Sequence, residues 1–120
     1  MKLKLTKTES GFTLVEIMIV CSIIGMLAAI SIPNFIRARQ GSQANICINN
    51  LRQIDAAIQT WALEKKKGPS APVTEADVTP YLKNKAICPA GGTSFANSYT
   101  LSNVSSEPIC QWVPAVHMAP

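Results

Sequence analysis

The chain contains one unbroken apolar segment, which runs from Phe12 to Ile32 and reads FTLVEIMIVCSIIGMLAAISI. As an α-helix these 21 residues would extend roughly 31 Å, which matches a hydrocarbon core of about 30 Å. Glu16 is the only charged residue in the segment. A carboxylate in a membrane helix costs on the order of 2.5–3.5 kcal/mol on insertion scales, so Glu16 is a candidate functional residue.

A different pattern begins at Asn34. From there to about Glu64 the sequence has no proline, and its apolar residues recur at alternating spacings of three and four. These positions form one stripe along a helix, which predicts an amphipathic continuation with one face on a core. A coiled-coil seam is the alternative for such a spacing. The stripe consists of Ala44, Cys47, Leu51, Ile54, Ile58 and Trp61.

The residues that follow predict a small head. Three lysines at residues 65–67 precede Gly68-Pro69, and cations followed by helix breakers are typical of a helix C-terminus. Thr74 and Asp77 are spaced as in a variant of the capping box, which predicts a short helix or turn around residues 75–83.

Two stretches nearer the C-terminus have the composition of β-strands. Residues 99–101 and 109–113 contain β-branched and aromatic side chains, and the turn-like residues 105–108 separate them. A small antiparallel sheet of two or three strands, packed against the helix, is the simplest arrangement. The predicted fold class is therefore α+β.

The residues before the apolar segment predict its orientation. Lys2, Lys4 and Lys7 outnumber Glu9, and a basic flank favours the cytoplasmic side for the N-terminus of a membrane helix. The head is then expected in the periplasm, across the inner membrane. An ordinary secretory signal has a shorter apolar stretch that ends in a cleavage site. Here the sharp boundary lies at Gly11, before the apolar segment.

Cleavage after Gly11 would keep the apolar helix and create a new amino group on Phe12. That amine would lie about one helical turn from Glu16. In a helical assembly of identical chains, the ammonium group of one subunit could neutralise Glu16 of the next. This pairing would offset the cost of burying the carboxylate only in the assembled state.

The segment Gly11-Phe12-Thr13-Leu14-Val15-Glu16 resembles the class III signal of type IV pilins and type II secretion pseudopilins. The resemblance is specific over about residues 7–40 and architectural beyond them. It implies that a prepilin peptidase cuts after Gly11 and that Phe12 becomes the N-methylated N-terminus. Glu16 would be the carboxylate required for filament assembly.

The same resemblance implies a pilin-like architecture, in which a membrane half and an amphipathic half form one long N-terminal helix packed on the sheet. Gly25 and Pro33 match positions where family members have helix-weakening residues, since Gly costs about 1 kcal/mol and Pro about 3 kcal/mol in a helix interior. The implied partners are other pilin or pseudopilin subunits, an inner-membrane platform protein with an assembly ATPase, and membrane lipid before assembly.

The net charge of the chain does not indicate a particular partner. Removing residues 1–11 deletes three Lys and one Glu and lowers the formal net charge from +4 to +2. The remaining basic residues form no large contiguous patch, so charge alone does not predict nucleic-acid binding.

The four cysteines differ in context. Cys21 lies in the apolar segment, and Cys47 lies on the core stripe, where a buried thiol is expected. Cys88 and Cys110 lie in the head, in a compartment that permits disulfides. A bond between them would close a loop of about 22 residues and contribute roughly 3 kcal/mol, with a bond from Cys47 to either one as the alternative. The spacing fits no zinc pattern, and His117 is the only histidine, so no metal site is predicted.

The sequence contains no recognisable catalytic arrangement: no Ser/His/Asp set, phosphate loop or CxxC pair. The chain is therefore expected not to be an enzyme, and no cofactor is predicted. A calcium loop of the kind that major type II pseudopilins hold would be poorly supplied, because Glu107 is the only acidic residue beyond Asp77.

These observations predict a cleaved leader (residues 1–11), a transmembrane assembly helix (12–33), its amphipathic continuation (34–67) and a globular head (68–120). The predicted function is that of a structural subunit, pilin or pseudopilin, in a filament of a type II secretion system or a type IV pilus. The alternative is a membrane-anchored periplasmic binding or sensor domain that never polymerises. A membrane-tethered thiol oxidoreductase is a third hypothesis and would need a reactive cysteine.

Overall fold

The computed structural model describes residues 10–112, and the chain divides into two units between Ile36 and Arg37. One helix, α1 (Leu14–Glu64), contributes to both units. Pro33 lies inside this helix, although its nitrogen has no hydrogen to donate to a preceding carbonyl. The prediction that the apolar segment continues as helix beyond Pro33 is confirmed.

In the second unit, one face of α1 lies at the centre of the core. Five of the six predicted stripe residues are buried, and the sixth, Ala44, is half-buried. The head covers them with side chains from Val73, Val78, Ala86, Cys88, Phe95, Tyr99, Val104 and Cys110. The prediction of a core-facing stripe is confirmed. The coiled-coil alternative is wrong, because the head of the same chain covers the stripe.

The head has short secondary-structure elements. Helix α2 (Glu75–Val78) leads directly into a 3₁₀ turn (Thr79–Tyr81). Strands β1 (Tyr99–Thr100) and β2 (Ile109–Cys110) are antiparallel, with Tyr99 opposite Cys110. The long N-terminal helix and the small antiparallel sheet confirm the predicted α+β class.

Helix α2 begins as the sequence predicts. Thr74 and Asp77 form a capping box, in which Thr74 N donates to Asp77 Oδ2 at 3.0 Å. The hydrogen bonds from the Thr74 side chain and backbone lower the pKa of Asp77. The folded state therefore favours the ionised carboxylate. Its contribution to stability is present above the unfolded pKa and is lost as the pH falls through the folded pKa.

The strands are shorter than the sequence predicts. Residues 99–101 and 109–113 are expected to be strands, but each observed strand has two residues, and Val113 lies outside the described part of the chain. Beyond β2 one backbone hydrogen bond remains, from Gln111 N to Ser98 O at 3.0 Å, and side chains form the other hydrogen bonds. Gln111 Nε2 donates to Ala96 O at 3.2 Å, and Trp112 Nε1 donates to Asn97 O at 2.9 Å.

A further antiparallel contact involves the proline-containing loop after α1. An isolated bridge pairs Pro72 with Asn103, and Val73 N donates to Ser102 O at 3.0 Å. Proline fits at this position because its neighbour supplies the N–H group that the pairing needs. This contact attaches the loop to the residues that follow β1.

Helix α1 ends in a Schellman-type cap that has a lysine where glycine is more usual. Lys67 N donates to Ala62 O at 2.8 Å, and Lys66 N donates to Leu63 O at 3.3 Å. Lys66 has a φ of 52°, a left-handed conformation that costs an L-residue about 1–2 kcal/mol. The helix therefore ends slightly before the expected position, and Gly68 is not the left-handed residue.

We expect the substitution Lys66→Gly to stabilise the head by roughly 0.5–1 kcal/mol, because glycine adopts a positive φ without steric cost. Urea unfolding of the full chain in detergent, followed by the fluorescence of the buried Trp61, measures the change. Lys65→Gly removes the same charge next to the left-handed position and serves as the control, with an expected loss of up to about 1 kcal/mol. A shift of both variants in the same direction would contradict the assignment of strain to Lys66.

Candidate functional site

The predicted cleavage site lies in a short non-helical segment before α1. Residues 10–13 precede the helix, and the Phe12 side chain is 82% exposed. A Cβ atom built on Gly11 would meet no atom within 4 Å, and Gly11 has no positive φ. The described part of the chain therefore gives no internal reason for glycine at this position. A requirement for Gly11 would come from a second molecule that binds this segment.

Glu16 has a partner that the sequence analysis missed. Glu16 N donates to Thr13 Oγ1 at 3.2 Å, and Thr13 N donates to Glu16 Oε2 at 3.5 Å. This reciprocal pair is a capping box, with Thr13 at the N-cap of α1 and Glu16 three residues later. The spacing Thr-x-x-Glu is present in the sequence and was the available signal. Glu16 thus helps to begin the helix as well as carrying the charge.

The capping contact leaves Glu16 with capacity for another donor. A carboxylate offers about four acceptor positions on its two oxygens. Charge-assisted N–H···O bonds are typically about 2.7–2.9 Å long, so the 3.5 Å contact from Thr13 N is long. An ammonium group could therefore bind the Glu16 carboxylate alongside the contact from Thr13 N, and the bond from Glu16 N to Thr13 Oγ1 would not be affected.

The first half of α1 exposes an apolar surface on all sides. Fifteen large apolar side chains between Phe12 and Ile36 are exposed. An 18-residue window of the helix has a mean hydropathy of 2.4 and no buried residue, so α1 is long and apolar enough to cross a membrane. Ser22 does not interrupt this surface with an unsatisfied hydroxyl, because its Oγ donates to Met18 O at 2.8 Å.

Gly25 and Pro33 both lie inside the continuous helix. A Cβ atom at Gly25 would meet nothing within 4 Å, so packing within the described residues does not require a glycine there. Their predicted role as helix-weakening positions concerns a filament of several chains, and it stays a prediction.

The structure brings three cysteines together in the core of the head. Cys47 on α1, Cys88 in the loop and Cys110 on β2 are all 0% exposed. Their Sγ atoms all lie within 4.8 Å of one another, and those of Cys88 and Cys110 are 3.5 Å apart. A disulfide requires about 2.03–2.05 Å, so the predicted Cys88–Cys110 bond stays a prediction. Cys21 lies apart from this cluster, exposed on α1.

Two polar side chains border the three sulfur atoms. Tyr99 Oη lies 3.6 Å from Cys47 Sγ, and Asn50 Nδ2 donates to Tyr99 Oη at 3.0 Å. Asn50 Nδ2 also donates to Ile87 O at 3.2 Å, beside Cys88 in the sequence. Burial raises the pKa of Cys47 to about 12 and also raises the pKa values of Cys88 and Tyr99. The thiols are therefore neutral at physiological pH unless a cation or an oxidant intervenes.

Comparison with known proteins identifies a family motif in the N-terminal part of the chain, where the apolar half of α1 and Glu16 lie. Residues 6–32 match the family described as "Prokaryotic N-terminal methylation motif". The chain is 46% identical over 57 residues to the type IV major pilin protein PilA of Myxococcus xanthus, which covers 48% of this chain but 26% of that pilin. No solved structure matches the chain.

Two other relatives align over more of the chain. The competence protein ComGC of Bacillus subtilis is 34% identical over 83 residues, which covers 69% of this chain and 84% of ComGC. The type II secretion system core protein G of Pectobacterium carotovorum is 29% identical over 82 residues, with 63% of this chain and 53% of that protein covered.

A long N-terminal helix with an apolar first half, a small sheet and a capped glutamate within a methylation motif define the class of pilin-like α+β proteins. The chain belongs to the type IV pilin and pseudopilin family. The relatives are pilin and pseudopilin subunits rather than enzymes.

In the reduced and metal-free chain, we expect Cys47 to react with iodoacetamide roughly 1,000-fold more slowly when folded than in urea at pH 8. The thiolate is the reactive form, and burial raises the pKa of Cys47 to about 12 from an ordinary value of 9.0. The folded rate should still rise with pH above 9, where the unfolded rate levels off. Mass spectrometry of the peptide that contains Cys47 measures both rates, and equal rates would contradict its burial.

Proposed function

We propose that this chain is cleaved between Gly11 and Phe12 by a prepilin peptidase, N-methylated at Phe12 and assembled into a helical filament. Residues 12–33 hold the subunit in the inner membrane before assembly, with the N-terminus cytoplasmic and the head periplasmic. The filament belongs to a type II secretion system or a type IV pilus. The observation that carries the proposal is the apolar first half of α1, which is exposed around a single carboxylate that lies within the methylation motif.

An apolar surface of this extent has to be shielded from water, and in pilin-like proteins lipid or neighbouring subunits can shield it. Fifteen exposed large apolar side chains far exceed the scattered apolar residues that a soluble surface carries. Lipid covers them before assembly, and neighbouring subunits cover them in the filament. Moving the helix from lipid into a protein bundle yields no hydrophobic gain, because lipid tails are as apolar as the side chains. Assembly therefore needs an energy source, which supports a role for a platform protein and an ATPase.

Glu16 provides a reason for the subunits to pair in register. Cleavage after Gly11 places an amino group on Phe12, one residue before the Thr13 that caps α1. In the filament this ammonium group binds the Glu16 carboxylate of a neighbouring subunit. A single carboxylate in lipid costs on the order of 2.5–3.5 kcal/mol, and the ion pair offsets that cost in the assembled state. Cleavage is thus required for assembly, because the uncleaved chain has no amine at Phe12.

We expect Gly11→Lys to block processing. A bulky cation at the position before the cut prevents the peptidase from binding the segment, while the fold of the chain is unaffected because a Cβ at Gly11 meets no atom within 4 Å. Intact mass with N-terminal fragmentation on protein from the native membrane measures the result. The wild-type chain should begin at N-methylated Phe12, and the variant should begin at Met1.

Gly68→Lys is the matched control, since a Cβ there also meets nothing within 4 Å and the residue lies far from the motif in sequence. This variant should be processed normally. A wild-type chain that keeps Met1 in cells with an active peptidase would contradict the proposal and favour the anchored, non-polymerising domain.

We expect Glu16→Gln to leave cleavage intact and to reduce filament assembly by on the order of tenfold or more, since 1.4 kcal/mol corresponds to a factor of ten. Glutamine replaces glutamate in many capping boxes, so this variant removes the charge and keeps an acceptor for Thr13 N. The fraction of subunits in sheared filaments, with cleavage verified by mass, measures the effect.

Glu16→Ala removes both the charge and the cap, and Glu107→Gln neutralises an exposed carboxylate in the head as a control. If assembly depends on the charge of Glu16, the variants Glu16→Gln and Glu16→Ala should both fail to assemble, and Glu107→Gln should assemble normally. Normal assembly of Glu16→Gln together with failure of Glu16→Ala would assign Glu16 to capping alone and overturn the ion pair.

A further inference from the structure

The proposed function uses the first half of α1 and leaves the buried thiol cluster of the head without a role. This cluster consists of Cys47, Cys88 and Cys110, and each of the three side chains is completely buried. The three residues come from separate parts of the chain: the long helix, the loop that precedes β1, and β2. The fold thus brings together three soft donor atoms in a closed apolar site.

The sulfur positions can be compared with those of a disulfide and of a metal site. A metal–sulfur distance of about 2.3 Å places the sulfur atoms of one tetrahedral or trigonal ion roughly 3.8–4.0 Å apart. The sulfur atoms of Cys88 and Cys110 are 3.5 Å apart, and all three sulfur atoms lie within 4.8 Å of one another. These distances bracket the metal value and exceed the disulfide length of about 2.05 Å. A disulfide also uses two of the sulfur atoms, whereas one ion can use all three.

We propose that Cys47, Cys88 and Cys110 bind a single thiophilic cation, of the class of Zn²⁺ and Cu⁺, as three thiolate ligands in the core of the head. Sulfur donors select such ions over calcium and magnesium, which prefer oxygen ligands. Binding of Zn²⁺ converts three neutral thiols into three thiolates and releases three protons to the solvent. The resulting site has a net charge of −1 with Zn²⁺ and −2 with Cu⁺.

The surroundings of the cluster stabilise this negative charge. The backbone N–H of Ala90 donates a hydrogen bond to the Cys88 side chain, and Gly92 N donates to Cys88 O at 2.8 Å. Cys47 Sγ donates to Tyr99 Oη at 3.6 Å and Asn50 Nδ2 donates to the same oxygen, so the Tyr99 hydroxyl can donate to the Cys47 sulfur once the thiol loses its proton. Hydrogen bonds from such outer groups orient metal ligands and tune the metal in known sites.

The loop that carries Cys88 is held in place by close packing. A Cβ atom on Gly92 would lie 2.1 Å from Ser98 Oγ and 3.0 Å from the backbone of Cys88. A Cβ atom on Gly91 would lie 2.6 Å from the ring of Trp112. Glycine at position 92 therefore permits the close approach of the backbone to Cys88, and glycine at position 91 permits the close approach of Trp112.

The test uses the full chain in detergent, reduced and freed of metal with a chelator, to which Zn²⁺, Cu⁺ or Co²⁺ is added separately. We expect about one ion per chain, a thiolate-to-metal charge-transfer band with Co²⁺, and a rise in Tm of roughly 10–20 °C at 100-fold excess over Kd. The Zn²⁺ and Cu⁺ titrations, each against a competing chelator, identify which ion binds more tightly.

The variant Cys47→Ser distinguishes a site with three sulfur ligands from one that uses only Cys88 and Cys110. We expect this variant to lose affinity by 100-fold or more and to lose intensity in the Co²⁺ band. Cys21→Ser is the matched control, because Cys21 is exposed on α1 and should leave binding unchanged. Trp fluorescence verifies that each variant is folded, and Cys110→Ser replaces Cys47→Ser if the latter does not fold.

Two results would overturn the proposal. One is a reduced wild-type chain that binds none of the three ions; the other is a chain from the native membrane that lacks metal and is two hydrogens lighter, as a disulfide requires. Equal binding by wild-type protein and by both cluster variants would assign any bound ion to another site. None of these outcomes affects cleavage at Gly11 or assembly through Glu16.

Discussion

The head of this protein depends on the apolar stripe of helix α1, because the head has little regular structure of its own. Its two strands have two residues each, and its helix has four. A two-stranded hairpin is marginally stable in water unless it packs against something larger. Leu51, Ile54 and Ile58 on α1 are almost completely buried and provide that surface. The long helix thus provides the surface on which the head packs.

In the first unit, by contrast, no part of the same chain covers the apolar side chains of α1 among the described residues. There its side chains are apolar and exposed, so that half of α1 has to be covered by lipid or by other subunits. Two polar side chains in this half have local partners: Ser22 donates to the carbonyl of Met18, and Glu16 accepts from Thr13 N. One continuous helix therefore serves two environments, and the carboxylate that permits assembly also completes the helix N-terminus.

The loop between the 3₁₀ turn and β1 shows how a head with short strands keeps a defined structure. Asn97 Oδ1 accepts from Thr93 N at 3.0 Å and from Ser94 N at 3.1 Å, and Asn97 O accepts from Trp112 Nε1. The Trp112 ring then covers Gly91 at a distance that excludes any side chain there. Side-chain hydrogen bonds and glycine packing replace the backbone ladder that longer strands would provide.

The sequence by itself determined the local features. The uninterrupted apolar segment, the three-four stripe and the Thr74–Asp77 cap each depend on residues within one or two helical turns, and helix α1 and the start of α2 followed from them. Glu16 was identified from the same kind of pattern, since a lone charge in an apolar segment is visible without a structure. Its Thr13 partner could have been found in the same way.

Tertiary structure alone decided how distant residues meet. Cys47 is 41 residues from Cys88 and 63 from Cys110 in the sequence, and no spacing rule connects them. They converge because the stripe places Cys47 on the buried face of α1 while the register of β1 and β2 places Cys110 opposite Tyr99. The sequence also did not predict the short strands, because side-chain hydrogen bonds near β2 compete with local strand propensity. Nor did it predict the left-handed conformation of Lys66, which depends on the direction that the chain takes after α1.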